Sequence, residues 1–266
     1  MSHDLLERRA FGPLGVDVPA IAIGCAPLGN LPDTFGYEVS EDLARATIQA
    51  ALAGPLNHLD TAAAYGDGES ERRIGRVLQE LAGLPDGAFL QTKAGRSPDG
   101  DYSGEMVKRR FERSLKLLGR DRIELVFLHD PQSITYDEAF ASGGPVEVLR
   151  AFKEQGMIGH LGVAGGPIDM EIRFVESGAF DAVITHNRYT LLNRVAEPLL
   201  TIAADMRLAV LNAAPYGSGM LVKGPDAYPR YAYASAPDEM VERARTLETI
   251  CSRYDVPLGA AALQFS

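Results

Sequence analysis

Short apolar runs recur along the chain at residues 20–23, 57–60, 89–92, 125–129, 158–164, 182–185 and 208–211, seven runs in all, each of a length that suits one strand. Between them the apolar positions follow a helical period. Ile74, Val77, Leu78 and Leu81 fall at i, i+3, i+4 and i+7, and Val107, Phe111, Leu115 and Leu118 keep nearly that spacing, so both stretches predict helices with one face on a core. A third stripe, Met240, Ala244, Leu247, Cys251 and Tyr254, runs through an otherwise charged segment and predicts another such helix. Helix ends are marked as well. Ser40 ahead of Glu41 and Asp42 supplies a capping oxygen and two acidic charges where a helix start needs them, while Gly83 and Gly119 follow two of the stripes as stops. Strands alternating with helices at about 30-residue spacing read as βαβ units around a parallel sheet.

Composition narrows what such a sheet serves. The chain has 266 residues, 46% hydrophobic and 23% charged, with no composition shift or Pro/Ser-rich linker, so one domain over residues 1–266 is expected. A net charge of −10 argues against a nucleic-acid duplex or an anionic membrane as partner and favours a small molecule. Cys25 and Cys251 are too few for a disulfide framework or a multi-cysteine metal site. The N-terminal segment 1–10 carries charges of both signs and no apolar stretch, so it does not read as a secretory signal, and no segment is long and apolar enough for a membrane span. The expected location is the cytoplasm, as a monomer or small homo-oligomer.

Two parallel architectures compete, an open doubly wound sheet and a closed (β/α)8 TIM barrel. Neither a G-x-G-x-x-G nor a Walker sequence follows the first strand, which weights the barrel. Barrel chemistry gathers at the C-terminal strand ends. There the second strand ends in Asp60 and runs on to Tyr65, the third ends at Thr92 and Lys93, and the fourth at His129 and Asp130. A buried Lys and Asp are costly unless paired, so their convergence points to function rather than packing. Lys93 is expected to lower the Tyr65 pKa, Asp60 to keep Lys93 charged, and His129 to orient a substrate oxygen. Such a group suits proton transfer to an oxygen whose carbon gains or loses a hydride carried by a redox cofactor.

These residues resemble the aldo-keto reductases. The resemblance rests on LDTAAAYGDGESERRIG at 59–75, QTKAGR at 91–96, LHDP at 128–131 and APYGSGML at 214–221. It implies a (β/α)8 barrel, NADP or NAD as cofactor, a carbonyl or sugar substrate, and a catalytic tetrad of Asp60, Tyr65, Lys93 and His129. GCAPLGN at 24–30 and THNRYTLL at 185–192 are most similar to the branch acting on L-fucose, L-galactose or D-threo-aldoses, with pyridoxal dehydrogenases nearby. Carried over by position, the cofactor contacts fall at Ala164, Gly165, His186 in preference to the neighbouring Asn187, Tyr216, Gly217, Ser218, Gly219 and Leu221, with the Gly-Ser-Gly amides offered to the pyrophosphate.

Several positions depart from the family pattern. Ala164-Gly165 stands where a Ser-Asn pair usually holds the nicotinamide amide, and Ala213 where a Tyr usually stacks on the ring. Residues 258–266 resemble the helix before the eighth strand, so that strand and its helix are expected to be missing from this sequence. The loop 97–103 reads equally as a selectivity element and as a solvated turn. Two rivals share the fold: a non-catalytic cofactor-binding scaffold, and a metal-dependent hydrolase drawing on His58, Asp60, His129, Asp130 and His186. The oxidoreductase reading gives Tyr65 a role that the hydrolase does not, and it needs no metal.

Overall fold

The computed structural model describes residues 7–266; the first part of the N-terminal segment read above lies outside them. Seven parallel strands form one sheet in strict chain order: β1 (Ile23–Gly24), β2 (His58–Asp60), β3 (Phe89–Gly95), β4 (Ile123–His129), β5 (Ile158–Ala164), β6 (Ala182–His186) and β7 (Ala209–Ala213). Every predicted run contributes a strand. The first is shifted, since only two residues, Ile23 and Gly24, pair with Leu59 and Asp60. The sheet curls into a nearly closed α/β barrel, and among the described residues β1 and β7 are its unpaired edges.

Helices cover the outside. Glu41–Ala53 starts at Ser40, whose Oγ accepts the Leu43 amide at 3.2 Å, as the capping signal predicts. Glu69–Glu80 buries Ile74, Val77 and Leu78, but Leu81 falls just past its end and is exposed. Gly104–Leu118 ends at Gly119 with φ 64°, a left-handed stop that glycine adopts freely. Asp238–Arg253 buries Val241 and Ala244; Tyr254, the last member of the predicted stripe, lies beyond the helix and is exposed. The main core lies between this outer layer and the strands, and includes the fully buried Phe111, Leu128, Leu161 and Phe174.

The bottom of the barrel is plugged by an element that the apolar pattern did not signal. Arg8–Ala10 pairs antiparallel with Asp17–Pro19, and the turn side chains Phe11 and Leu14, with Val18, pack on Phe89, Leu125, Phe127, Ala182 and Ala209. Gly12 at φ 53° lets the hairpin rest on β7: a Cβ there would sit 2.5 Å from the Ala209 nitrogen. With this end sealed, the polar strand termini collect at the opposite mouth. No helix among the described residues is long and apolar enough to cross a membrane.

Candidate active site

The loop carrying Tyr65 is pinned from three sides before it reaches the mouth. Arg110 donates to the Ala63 carbonyl at 2.7 Å, Arg73 to the Leu28 and Val39 carbonyls at 3.0 Å each, and Ser70 Oγ to the Cys25 carbonyl at 2.9 Å. Gly66, at φ 63°, lets this loop meet the one after β1; a Cβ there would lie 2.1 Å from the Gly29 oxygen. The polar run GESERRIG is thus scaffolding for one tyrosine. Buried Arg73 is in turn ion-paired to Glu69 at 2.8 Å and Glu41 at 3.1 Å.

At the mouth, β2 and β3 bring Asp60, Lys93 and Tyr65 together. Lys93 Nζ donates to Asp60 Oδ2 at 2.7 Å, to the Thr61 carbonyl at 2.9 Å and to the Tyr65 hydroxyl at 3.0 Å. Its side chain is only 3% exposed, so the ammonium is desolvated and fully partnered within the protein. Burial works against the charge, but Asp60 and Tyr65 outweigh it and hold the Lys93 pKa above its ordinary value. His129, at the end of β4, stands edge-on to the Tyr65 ring with centroids 5.8 Å apart.

Lys93 pulls the Tyr65 pKa down as expected, but the net shift is upward. Burial drives the Tyr65 pKa up to about 12, and the nearby Lys93 charge offsets only part of that rise. Tyr65 is therefore a neutral phenol held ready to donate. Because Lys93 donates to the phenol oxygen, the phenolic hydrogen is left for another acceptor. Burial also pushes the His129 pKa well below its ordinary value, further than Asp130 can restore, so the imidazole is neutral near pH 7.

The network extends further than the four residues. Gln91 Nε2 donates to Asp60 Oδ1 at 2.7 Å, and Gln91 Oε1 lies 3.0 Å from His58 Nε2. Asp60 thus has both oxygens occupied. Gln91 precedes Lys93 by two on the same strand, so period-two alternation puts both on one face, a signal available in the sequence. Tyr102, from the loop 97–103, is buried and donates to the His129 carbonyl at 2.5 Å. That loop is neither a solvated turn throughout nor free of the site, since it fixes the backbone of His129.

On the side of β5, β6 and β7 the carried-over positions separate into different environments. Gly165, at φ 86°, is forced by its surroundings, because a Cβ there would lie 2.4 Å from Asp130 Oδ1. The neighbouring Ala164 is buried, and its carbonyl accepts the Asp130 amide at 2.8 Å. Asn187 is buried with both atoms of its side-chain amide unpartnered, while its backbone is held by the Ala213 carbonyl at 3.2 Å and by the Tyr231 hydroxyl. His186 is half-buried, and burial first, then Arg188, lowers its pKa. The amides of Gly217 and Gly219 donate to Ala214 and Tyr216 within their own turn, at 3.2 and 3.0 Å, so those two are not open donors. The Leu221 amide also bonds to Tyr216, at 3.1 Å, and its side chain joins a small apolar cluster with Met220, Val241 and Leu258, against which Tyr216 also packs. Ser218 Oγ accepts the Tyr233 amide at 3.2 Å.

The hydrolase set does not assemble. His58 lies inside the barrel against Phe11 and Phe89, with ring centroids 5.5 and 5.0 Å away, and among the described residues no three His, Cys, Asp or Glu side chains converge to hold a metal.

A parallel barrel thus carries at its mouth a buried Lys-Asp pair with a neutral phenol on the same ammonium, and the family follows from comparison with known proteins. Residues 20–266 match the Aldo/keto reductase family, and the chain belongs to it. It is 31% identical to the D-threo-aldose 1-dehydrogenase of Pseudomonas sp, covering 96% of this chain and 84% of that protein. It is 29% identical to the L-galactose dehydrogenase of Arabidopsis thaliana, covering 98% and 80%. Among solved structures, the glycerol dehydrogenase of Gluconobacter oxydans superposes with a TM-score of 0.76 at 21% identity over 98% of this chain and 82% of that one, which shows the shared fold. The chain is thus an oxidoreductase of a family that uses NAD(P).

Proposed function

We propose that this protein transfers a hydride between NADP or NAD and the C1 carbon of an aldose, or the carbonyl carbon of an aldehyde or ketone, with Tyr65 exchanging the proton on the oxygen. The observation that carries the reading is the Lys93 ammonium bonded at once to Asp60 and to the Tyr65 hydroxyl. The names of the relatives, D-threo-aldose 1-dehydrogenase and L-galactose dehydrogenase, favour a sugar substrate.

A nicotinamide bound at the mouth would supply or accept the hydride. Asn187 fits that group, since a buried amide with a free donor and a free acceptor complements a carboxamide. In the reducing direction Tyr65 gives its proton to the carbonyl oxygen. The phenolate that develops is met by Lys93, already oriented by Asp60, so stabilisation grows as charge forms and no reorganisation is needed. Neutral His129 donates one N–H to the same oxygen and fixes its position. Oxidation reverses each proton movement, with Tyr65 acting as base.

The test is the near-ultraviolet absorbance of reduced nicotinamide with purified protein, both cofactors, and a panel of aldoses and simple aldehydes. Turnover with an aldose is expected. Absence of turnover with every substrate, while cofactor binds, would overturn the reading in favour of a non-catalytic scaffold.

A further inference from the structure

The two edge strands, β1 and β7, do not pair with each other, yet the loops that follow them meet across the mouth. Phe35, in the short helix Pro32–Phe35 after β1, contacts Tyr233 edge-on with ring centroids 6.1 Å apart. Tyr37 extends the patch, 6.2 Å from Phe35. Tyr233 stands at the tip of a hairpin after β7, in which Arg230–Tyr231 pairs with Ala234–Ser235.

The hairpin turn is made of Ala232 and Tyr233, both with positive φ, 47° and 69°. A two-residue turn of this kind is normally built from Asn-Gly, because a bulky side chain is strained in the left-handed region. Strain of this sort persists only when the surroundings enforce it, and it concentrates at functional sites. The surroundings here do enforce it. Arg230 donates to the Tyr233 carbonyl at 2.8 Å, Ser218 Oγ accepts the Tyr233 amide, and the Tyr231 hydroxyl anchors the hairpin on the Asn187 carbonyl just past the end of β6. Tyr233 is nevertheless 44% exposed, so packing alone does not explain it. Partial burial raises the pKa of its hydroxyl, Asp130 adds to the rise, and Lys93 opposes it.

We infer that Tyr233 and Phe35 form an aromatic wall over the mouth that packs against the ring of a cyclic sugar and selects it over short acyclic carbonyl compounds. The inference rests on the sugar reading of the site given above. A pyranose offers a face of C–H groups that an aromatic ring covers, while its hydroxyls remain for polar partners such as the Tyr233 hydroxyl. A short aliphatic aldehyde reaches the tetrad without touching this wall.

The experiment compares wild type with Tyr233→Gly, Tyr233→Phe and Phe35→Ala, measuring L-galactose affinity by calorimetry in the presence of NADP and NAD, kinetics with L-galactose and butanal, and thermal midpoints. Tyr233→Gly removes the ring while suiting the left-handed turn. Its midpoint is expected to hold or rise, yet its L-galactose affinity is expected to fall about tenfold, with a smaller fall in Phe35→Ala and the smallest in Tyr233→Phe. The loss in kcat/KM is expected to be about tenfold greater for L-galactose than for butanal. Unchanged L-galactose affinity in Tyr233→Gly, equal losses for both substrates, or no L-galactose binding by wild type overturns the wall. Sugar binding that depends on Tyr233 in a protein without turnover leaves the wall standing and removes the hydride-transfer reading instead.

Discussion

Lys93 Nζ lies 3.0 Å from the Tyr65 hydroxyl and donates to it, so the phenol keeps its own hydrogen available while a cation waits beside its oxygen. The pairing does not make Tyr65 a strong acid at rest, since burial holds its pKa at about 12. It makes a phenolate at this position less costly than the buried site alone would allow.

Replacing that cation should cost both fold and chemistry. In Lys93→Met, Asp60 Oδ2 is left without its partner in a site where Lys93 is 3% and Asp60 14% exposed. Removing one member of a buried pair typically costs about 3–5 kcal/mol; with Asp60 partly exposed, about 3 kcal/mol is expected in denaturant titration, together with a loss of turnover. Equal stability of variant and wild type would show that the ion pair is not structurally coupled.

Much of this was legible in the sequence, for physical reasons. Parallel strands in the interior of the sheet read as apolar runs, so all seven were found, and Asp60 and His129 stood at the ends of two of them, with Lys93 near the end of a third. The N-terminal hairpin escaped because Arg8–Ala10 is exposed and polar, and its core contacts come from Phe11 and Leu14 in the turn. The mouth hairpin escaped because its turn is Ala232-Tyr233, with none of the usual glycine or asparagine signal. The direction of the Tyr65 shift was missed because it is a contest between one visible charge and a burial that no local sequence states. Between His186 and Asn187 the pattern leans to His186; that the side-chain amide of Asn187 is buried without a partner is a matter of packing that the sequence does not state.

Glu171 gives the protein a stability that falls with pH. Both carboxyl oxygens are buried without a well-formed hydrogen bond, and burial lifts the pKa from 4.5 to about 8; Arg188 and the nearby Thr185 hydroxyl and Gly165 amide oppose the rise, and Asp130 adds to it. Between these values the folded chain keeps a proton that the unfolded chain has lost, so raising the pH favours unfolding. The slope is expected to approach about 1.4 kcal/mol per pH unit at most. Glu171→Gln should flatten it, and chemical denaturation from about pH 5 to about pH 7, between those two values, reads the difference. An identical slope in the variant would assign the pH dependence to another group.

Gly165 should not tolerate a side chain. Gly165→Ala places a Cβ at 2.4 Å from Asp130 Oδ1 on a backbone with φ 86°. The expected loss is about 2 kcal/mol, and the thermal midpoint should fall by a few degrees. A midpoint at or above that of wild type would mean that Asp130 moves aside freely.

The most direct measurement compares Tyr65→Phe with wild type for two quantities: nicotinamide binding by fluorescence titration, and hydride transfer to or from an accepted substrate. The substitution keeps the ring against His129 and removes only the oxygen to which Lys93 donates. Cofactor affinity is predicted to persist while turnover falls about 10²- to 10⁴-fold. Turnover at the wild-type rate without that oxygen would contradict the account.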